Sequence, residues 1–247
     1  MAVATAHPAD GTPAAPARPT GLRRELARVR AVVWKDLTSE RRTKANFNAV
    51  VFLAGLILLL FGFALGPDRE ALQAAAAGAL WLTVLFSGVL SFNRSYQLEL
   101  EGGALESLLL YPGDRRSIFV GKVIANFLFV LLVEAIVVPM AAILYDIPLL
   151  RPAPGLALTL VLGTLGFVTL GTFYAAMASR VRAREVLLPL LLFPMLVPVL
   201  VAAVQATAAL LAGDPMGEVG SWLRLLGIFD VIFLAASFLA FEAVIED

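Results

Sequence analysis

Cysteine is absent from the 247-residue chain, and histidine occurs once, at His7. No disulfide, thiolate nucleophile or thiolate metal site is open to such a sequence. His7 lies in an Ala/Pro/Thr-rich head, residues 1–20, which lacks the apolar h-region of a signal peptide and is expected to be a disordered tail. Iron or zinc ligation by the two commonest side-chain types is therefore excluded, and no metal site is expected. Met140, Met177, Met195 and Tyr174 are the remaining weak donors, and isolated residues of these types in apolar helices read as packing residues. Charge is scarce as well: 15% of residues are charged, against ~25% in globular domains.

Catalytic and nucleotide-binding patterns are also missing. A P-loop needs G-x-x-x-x-G-K-[ST], so that backbone N–H groups cradle phosphate and the hydroxyl meets Mg²⁺. The nearest approach runs from Gly113 to Gly121-Lys122, with seven residues between the glycines and Val123 after the lysine. It fails. A Ser-His intramembrane protease needs a histidine at membrane depth, and Asp230 follows Gly-Ile-Phe rather than the Gly-x-Gly of intramembrane aspartyl proteases. The chain reads as a non-enzyme, with no cofactor of its own.

What is present is apolar sequence: 60% hydrophobic residues and a mean hydropathy of +0.87. A chain of this length cannot hide so much apolar surface from water, so an all-α integral membrane protein is expected. Six apolar spans fall at about 47–65, 71–92, 119–145, 154–178, 186–211 and 223–241. Each approaches the ~20 residues needed to cross ~30 Å of hydrocarbon at 1.5 Å per residue. Gly66-Pro67-Asp68, Asp146-Ile147-Pro148 and Gly213-Asp214-Pro215 punctuate their ends, and Asp114 is a candidate N-cap for the third span.

Ahead of the spans, residues 21–45 form a basic amphipathic segment. Leu22, Leu26, Val29, Val33 and Leu37 recur at helical spacing among Arg23, Arg24, Arg28, Arg30, Lys35, Arg41 and Arg42, and Trp34 suits the headgroup level. The pattern predicts a helix lying in the interface, held by apolar burial and anionic lipid. A spanning helix follows at once, so the rival reading, a nucleic-acid patch, is set aside. Residues 46–247 then make one six-helix membrane domain.

Short-loop Lys and Arg set the orientation. The N-terminal segment holds nine, the 93–118 loop three, and the 179–185 loop three, whereas the opposite side has Arg69, Arg151 and Arg224. Both termini and the 93–118 loop are thus expected in the cytoplasm. That loop is amphipathic: Leu105, Leu108 and Leu109 offer an apolar edge, and Glu99, Glu101 and Glu106 a charged rim. It reads as the place where a soluble partner pushes on the membrane domain.

The spans differ in texture. The fourth sets Thr159, Gly163, Gly166, Thr169, Gly171 and Thr172 among large residues, which lets neighbouring helices approach closely. The fifth carries Pro189, Pro194 and Pro198, each removing a backbone donor. It is expected in the interior of the assembly or against a cavity, either as a kinked packing helix or as a moving gate. Glu134 and Asp230 fall near mid-span, where a carboxylate costs roughly 2.5–3.5 kcal/mol and seeks a bundle interior or a partner. Asn126 lies two turns before Glu134 on nearly the same face, and Pro139 opens the helix five residues later. Three roles stand open for Glu134: a hydrogen-bonded hinge, a subunit contact, or a proton site.

An interfacial N-terminal helix, six spans and a structured loop after the second resemble an ABC-2-type transporter permease. The stretches ELARVRAVVWKDLTSERRTKANFNAVVFLAGLILLLFGFALGP, LELEGGALESLLLYPGDRRSIFVGKVIANF, LLVEAIVVPMAAILYD and LPLLLFPMLVPVLVAA are similar to the heme exporter protein B family. That family is the membrane permease of the cytochrome c maturation system. The likeness covers residues 22–245, and the loop block is its most specific part. It implies a separate cytoplasmic ABC ATPase that binds ATP, a second permease copy, and a neighbouring heme-handling membrane subunit in a bacterial inner membrane. In the family, ATP hydrolysis supports release of a heme-loaded periplasmic chaperone. Heme is then the candidate substrate of the complex, while this chain has no His or Cys at membrane depth to hold the iron. An export permease for another amphipathic substrate, and a non-transporting scaffold for a heme-handling subunit, are the alternatives.

Overall fold

The computed structural model describes residues 21–101, 116–149, 152–178 and 184–246; side chains are described except at 22, 24, 41–43, 93–101, 178, 184–189, 191 and 242–246. These residues form seven helices: α1 (Gly21–Thr43), α2 (Ala45–Leu65), α3 (Arg69–Glu101), α4 (Arg116–Tyr145), α5 (Ala153–Ala178), α6 (Arg184–Leu211) and α7 (Val219–Glu246). No strand occurs among the described residues.

Six helices are long and apolar enough to cross a membrane, over Ala45–Leu65, Arg69–Phe92, Arg116–Tyr145, Ala153–Met177, Leu192–Leu211 and Val219–Phe241. The sequence boundaries agree closely, and α6, which carries the fifth span, begins at Arg184.

Side-chain size decides which helices take the centre. In their most apolar stretches α3 is 72% buried and α5 61%, against 17% for both α2 and α7. The small residues of α5 make this arrangement possible. A Cβ on Gly163 would sit 2.3 Å from the Trp81 ring of α3, and one on Gly171 would sit 2.1 Å from Phe92. Trp81, Phe92 and Phe167 are almost wholly buried there, and the Phe92 and Phe167 rings lie 5.1 Å apart. Around this pair, α6 and α7 pack on α5, α2 packs on α3 and α4, and α4 lies against both central helices.

Turn chemistry closes the ends. Gly66 and Gly213 adopt φ of 72° and 83°, left-handed conformations that glycine takes without a side-chain clash. The Asp68 carboxylate accepts from the backbone N–H of Glu70 at 3.0 Å, and that of Asp214 from Glu218 at 2.8 Å, so each caps the following helix. Arg69 pairs with Asp146 at 2.9 Å, and the Gln73 amide donates to the Asp146 carbonyl at 2.7 Å. The α2–α3 and α4–α5 turns are thereby tied on one face of the bundle.

On the other face, α1 turns into α2 at Lys44, which takes φ 49°. Glu40 reaches over this turn, accepting from the Phe47 N–H at 3.0 Å and the Asn46 amide at 3.3 Å. A carboxylate at a helix N-terminus satisfies orphan donors and the helix dipole together.

Two expectations need correction. The basic helix exists, but it is held by protein as well as placed for lipid: α1 packs along α4 and buries Val32, with Val29 and Val33 only partly covered. Arg28 and Lys35 are half-buried, paired with Glu25 at 3.3 Å and Asp36 at 3.2 Å. The second concerns α6, expected in the interior of the assembly or against a cavity; this single chain covers one edge of it. Its Leu192, Leu196, Val199, Ala203 and Ala206 edge faces the bundle, and Pro194 and Pro198 are exposed on the outer side. The small and aliphatic edge packs more closely than a proline edge, so it takes the interior. The helix runs unbroken through all three prolines.

Candidate functional site

The polar groups of the bundle gather on α4 where it faces α5. The Asn126 amide donates to Thr172 Oγ1 at 3.0 Å. Two turns along, the Thr164 hydroxyl donates to Glu134 Oε1. The helices run antiparallel, so residues eight apart on one meet residues eight apart on the other. Val130 and Val168, both buried, occupy the level between the two polar rungs. Asn126 and Glu134 do share a face, as their spacing predicts, and Pro139 lies on the exposed side of α4.

Glu134 is 2% exposed, and its Oε2 has no hydrogen-bond partner among the described residues. It borders a narrow gap with Ser87, Gly88, Val50, Val84, Phe129, Val130 and Val133, too tight for a water molecule. The Ser87 hydroxyl, also buried, is likewise unpartnered among the described residues. Glu134 thus has one oxygen satisfied by α5 and the other turned to the α2–α3–α4 junction.

Asp230 of α7 stands apart from this ladder. It is 5% exposed and lies against the α5 backbone at Gly166, where a Cβ would come 2.6 Å from Oδ1. Thr164 and Gly166 are about 200° apart around α5 at 3.6 residues per turn. The central helix therefore has a carboxylate on each of two opposed sides. Neither carboxylate has an imidazole or thiol beside it, so the arrangement suits hydrogen bonding or proton holding and not nucleophilic chemistry.

Nearer the α1 face, Lys122 is 1% exposed, and its Nζ lies 3.4 Å from Asp36 Oδ2. One turn away on α1, Val32 fills the space over Gly121, where a Cβ would meet it at 2.8 Å. The Lys122–Asp36 contact is part-buried, and Asp36 also lies 3.2 Å from Lys35 Nζ. Two further bonds tie helices laterally: the Trp81 indole to Thr207 at 2.9 Å, and the Tyr145 hydroxyl to the Leu58 carbonyl at 2.8 Å. No group of three or more His, Cys, Asp or Glu side chains placed to hold a metal occurs among the described residues.

The family profile described as CcmB protein matches residues 27–247, which include α2–α7 and most of α1. The chain belongs to the CcmB family. Proteins named heme exporter protein B are its relatives in several bacteria. That of Pseudomonas aeruginosa is 32% identical over 183 residues, 74% of this chain and 81% of the relative. That of Rhodobacter capsulatus is 30% identical over 200 residues, 75% and 90% of the two chains. That of Paracoccus denitrificans is 32% identical over 190 residues, 76% and 86%.

In this CcmB-family chain, Leu105, Glu106, Leu108, Leu109 and Asp114 lie outside the described residues, as does the 1–20 head. Glu99 and Glu101 fall on the last turns of α3 and Pro189 on the first turns of α6, where backbone alone is described. Sequence reasoning missed Thr164 as the Glu134 partner and Asp36 as the Lys122 partner. A signal for the first existed: Thr164 and Thr172 have the same spacing as Asn126 and Glu134. Nothing in the sequence marks the second, since Asp36 and Lys122 are 86 positions apart.

Proposed function

We propose that this chain is the membrane permease subunit of a heme-export complex serving cytochrome c maturation, worked by ATP hydrolysis on a separate cytoplasmic ABC ATPase. The carrying observation is the family match over residues 27–247, which covers every membrane-crossing helix. The relatives are named as heme exporters, and the ABC-2-type architecture supports an ATPase partner and a second permease copy. Orientation rests on the Lys and Arg bias: the α1 face and the 93–118 loop are cytoplasmic, in a bacterial inner membrane.

The division of labour follows from composition. With no cysteine and only His7, the chain offers no imidazole or thiolate at membrane depth, so a neighbouring membrane subunit handles the iron. The permease then contributes the moving body between the ATPase and that subunit. The same observation favours a second reading, a scaffold that tethers the heme-handling subunit without transporting.

Leu105→Ala with Leu108→Ala separates these readings. In the coupled permease, the double variant inserts normally but loses most ATPase co-purification and cytochrome c yield. Unchanged ATPase binding and yield would remove the coupling role of the loop. A wild-type chain that binds the ATPase without altering its rate would favour the scaffold.

A further inference from the structure

Along α1, Val32, Asp36 and Glu40 recur every fourth residue and so form one stripe. Each makes a different attachment. Val32 seats on Gly121 of α4, Asp36 meets Lys122 Nζ, and Glu40 caps the first turn of α2. The surface helix is thus fastened at three successive turns to two membrane helices. The opposite face of α1, with Leu26, Arg30 and Trp34, stays exposed.

The middle attachment is the unusual one. Two apolar side chains would hold α1 on α4 with no desolvation cost, whereas an ion pair whose lysine is buried and whose aspartate is 16% exposed adds little stability and is best attested as a device that fixes register. Lys122 lies six residues into α4, and α4 begins directly after the 102–115 segment. Since α3 ends directly before that segment, a force on it enters both helices, and along α4 it reaches Lys122 within two turns.

We propose that Asp36 and Lys122 are coupling residues: they lock α1 to the head of α4, so that a push on the 102–115 segment moves both as one arm and, through Glu40, carries α2. The assignment of the push to an ATPase rests on the permease function proposed above. The locking itself does not.

The test uses the full chain with its ATPase in vesicles of phosphatidylethanolamine and phosphatidylglycerol. Asp36→Asn, Lys122→Gln and the charge swap Asp36→Lys/Lys122→Asp are compared, with Lys122→Arg as the conservative variant. Spin labels at Arg30→Cys and Leu128→Cys, both exposed positions, report the α1–α4 distance. The single neutral variants should broaden that distance and lower permease-dependent ATP hydrolysis about tenfold, within the range of coupling energies between sites, while still co-purifying with the ATPase. The swap and Lys122→Arg should restore a narrow distance and most of the rate.

A narrow distance with an unchanged rate in both neutral variants would overturn the proposal. So would loss of folded protein in the neutral variants that neither the swap nor Lys122→Arg recovers, because the pair would then be a packing element alone. If the wild-type chain leaves the ATPase rate untouched, the permease reading fails, and the distance measurement still decides whether the lock exists.

Discussion

At the scale of single residues, Glu134 and the glycines of α5 carry the sharpest expectations. Glu134→Gln keeps an acceptor for the Thr164 hydroxyl but removes the ability to ionise. Glu134→Ala leaves that hydroxyl without its acceptor and opens a cavity, at a cost of about 1–3 kcal/mol for the orphaned group and more for the void. We expect Gln to retain complex assembly and cytochrome c maturation and Ala to lose both, measured by co-purification and cytochrome yield. An assembled but inactive Gln variant would assign Glu134 a proton-carrying role instead. The glycines test close approach directly. Gly171→Ala drives a methyl into Phe92, and Gly166→Ala into Asp230, so each should destabilise by about 1–3 kcal/mol in detergent melts. Gly78→Ala, where no neighbouring atom comes within 4 Å, should leave the melting temperature unchanged or slightly raised. Equal effects at all three positions would show that helix propensity, not packing, governs them. That the fourth span would be approached closely was legible in its run of small residues. Which ring would fill each notch was not, because Trp81 and Phe92 arrive from another helix.

At the scale of the element, α1 is where the sequence pattern and the packing part company. Periodicity alone predicts a helix with Val29 and Val33 protected and Arg28 and Lys35 open to solvent. A 3.6-residue repeat gives the existence of a buried stripe, but α1 carries apolar residues on more than one face, and docking on α4 selects the stripe centred on Val32 and Asp36. Single cysteines along residues 26–37 should therefore label with helical period. The minimum should fall at Val32, and Arg30 and Trp34 should react fastest with a water-soluble maleimide. A minimum at Val33 with Val32 reactive would mean that α1 lies free on the membrane. Helix α6 teaches the complementary lesson. Its three prolines were legible, and so was the missing donor at each, but the face they occupy depends on which edge packs better. The Leu192–Leu196–Val199–Ala203 edge wins, which turns Pro194 and Pro198 outward.

At the scale of the whole molecule, the six crossings were legible because apolar length alone decides them; the central place of α3 and α5 was not, since small residues marked only a close approach to α5. The lateral bonds were hidden, since Asn126, Glu134, Thr164 and Thr172 gain meaning only when α4 and α5 lie side by side in one alignment. That alignment limits how the subunit can move. A slip of one helical turn would carry Glu134 from Thr164 to Leu160 or Val168, and Asn126 from Thr172 to Val168 or Ala176. None of these side chains has a hydroxyl, so both rungs would break in the same step, and only towards the start of α5 does a nearby buried hydroxyl, that of Thr169, offer Asn126 a new partner. Ratcheting of α4 along α5 is thereby opposed, because Glu134 loses its hydroxyl partner in either direction, while rocking about their shared axis is not. On the coupling proposed above, a stroke delivered to α4 would leave as a tilt that α5 shares, and the Gly163 and Gly171 notches, filled by Trp81 and Phe92, would hand that tilt on to α3.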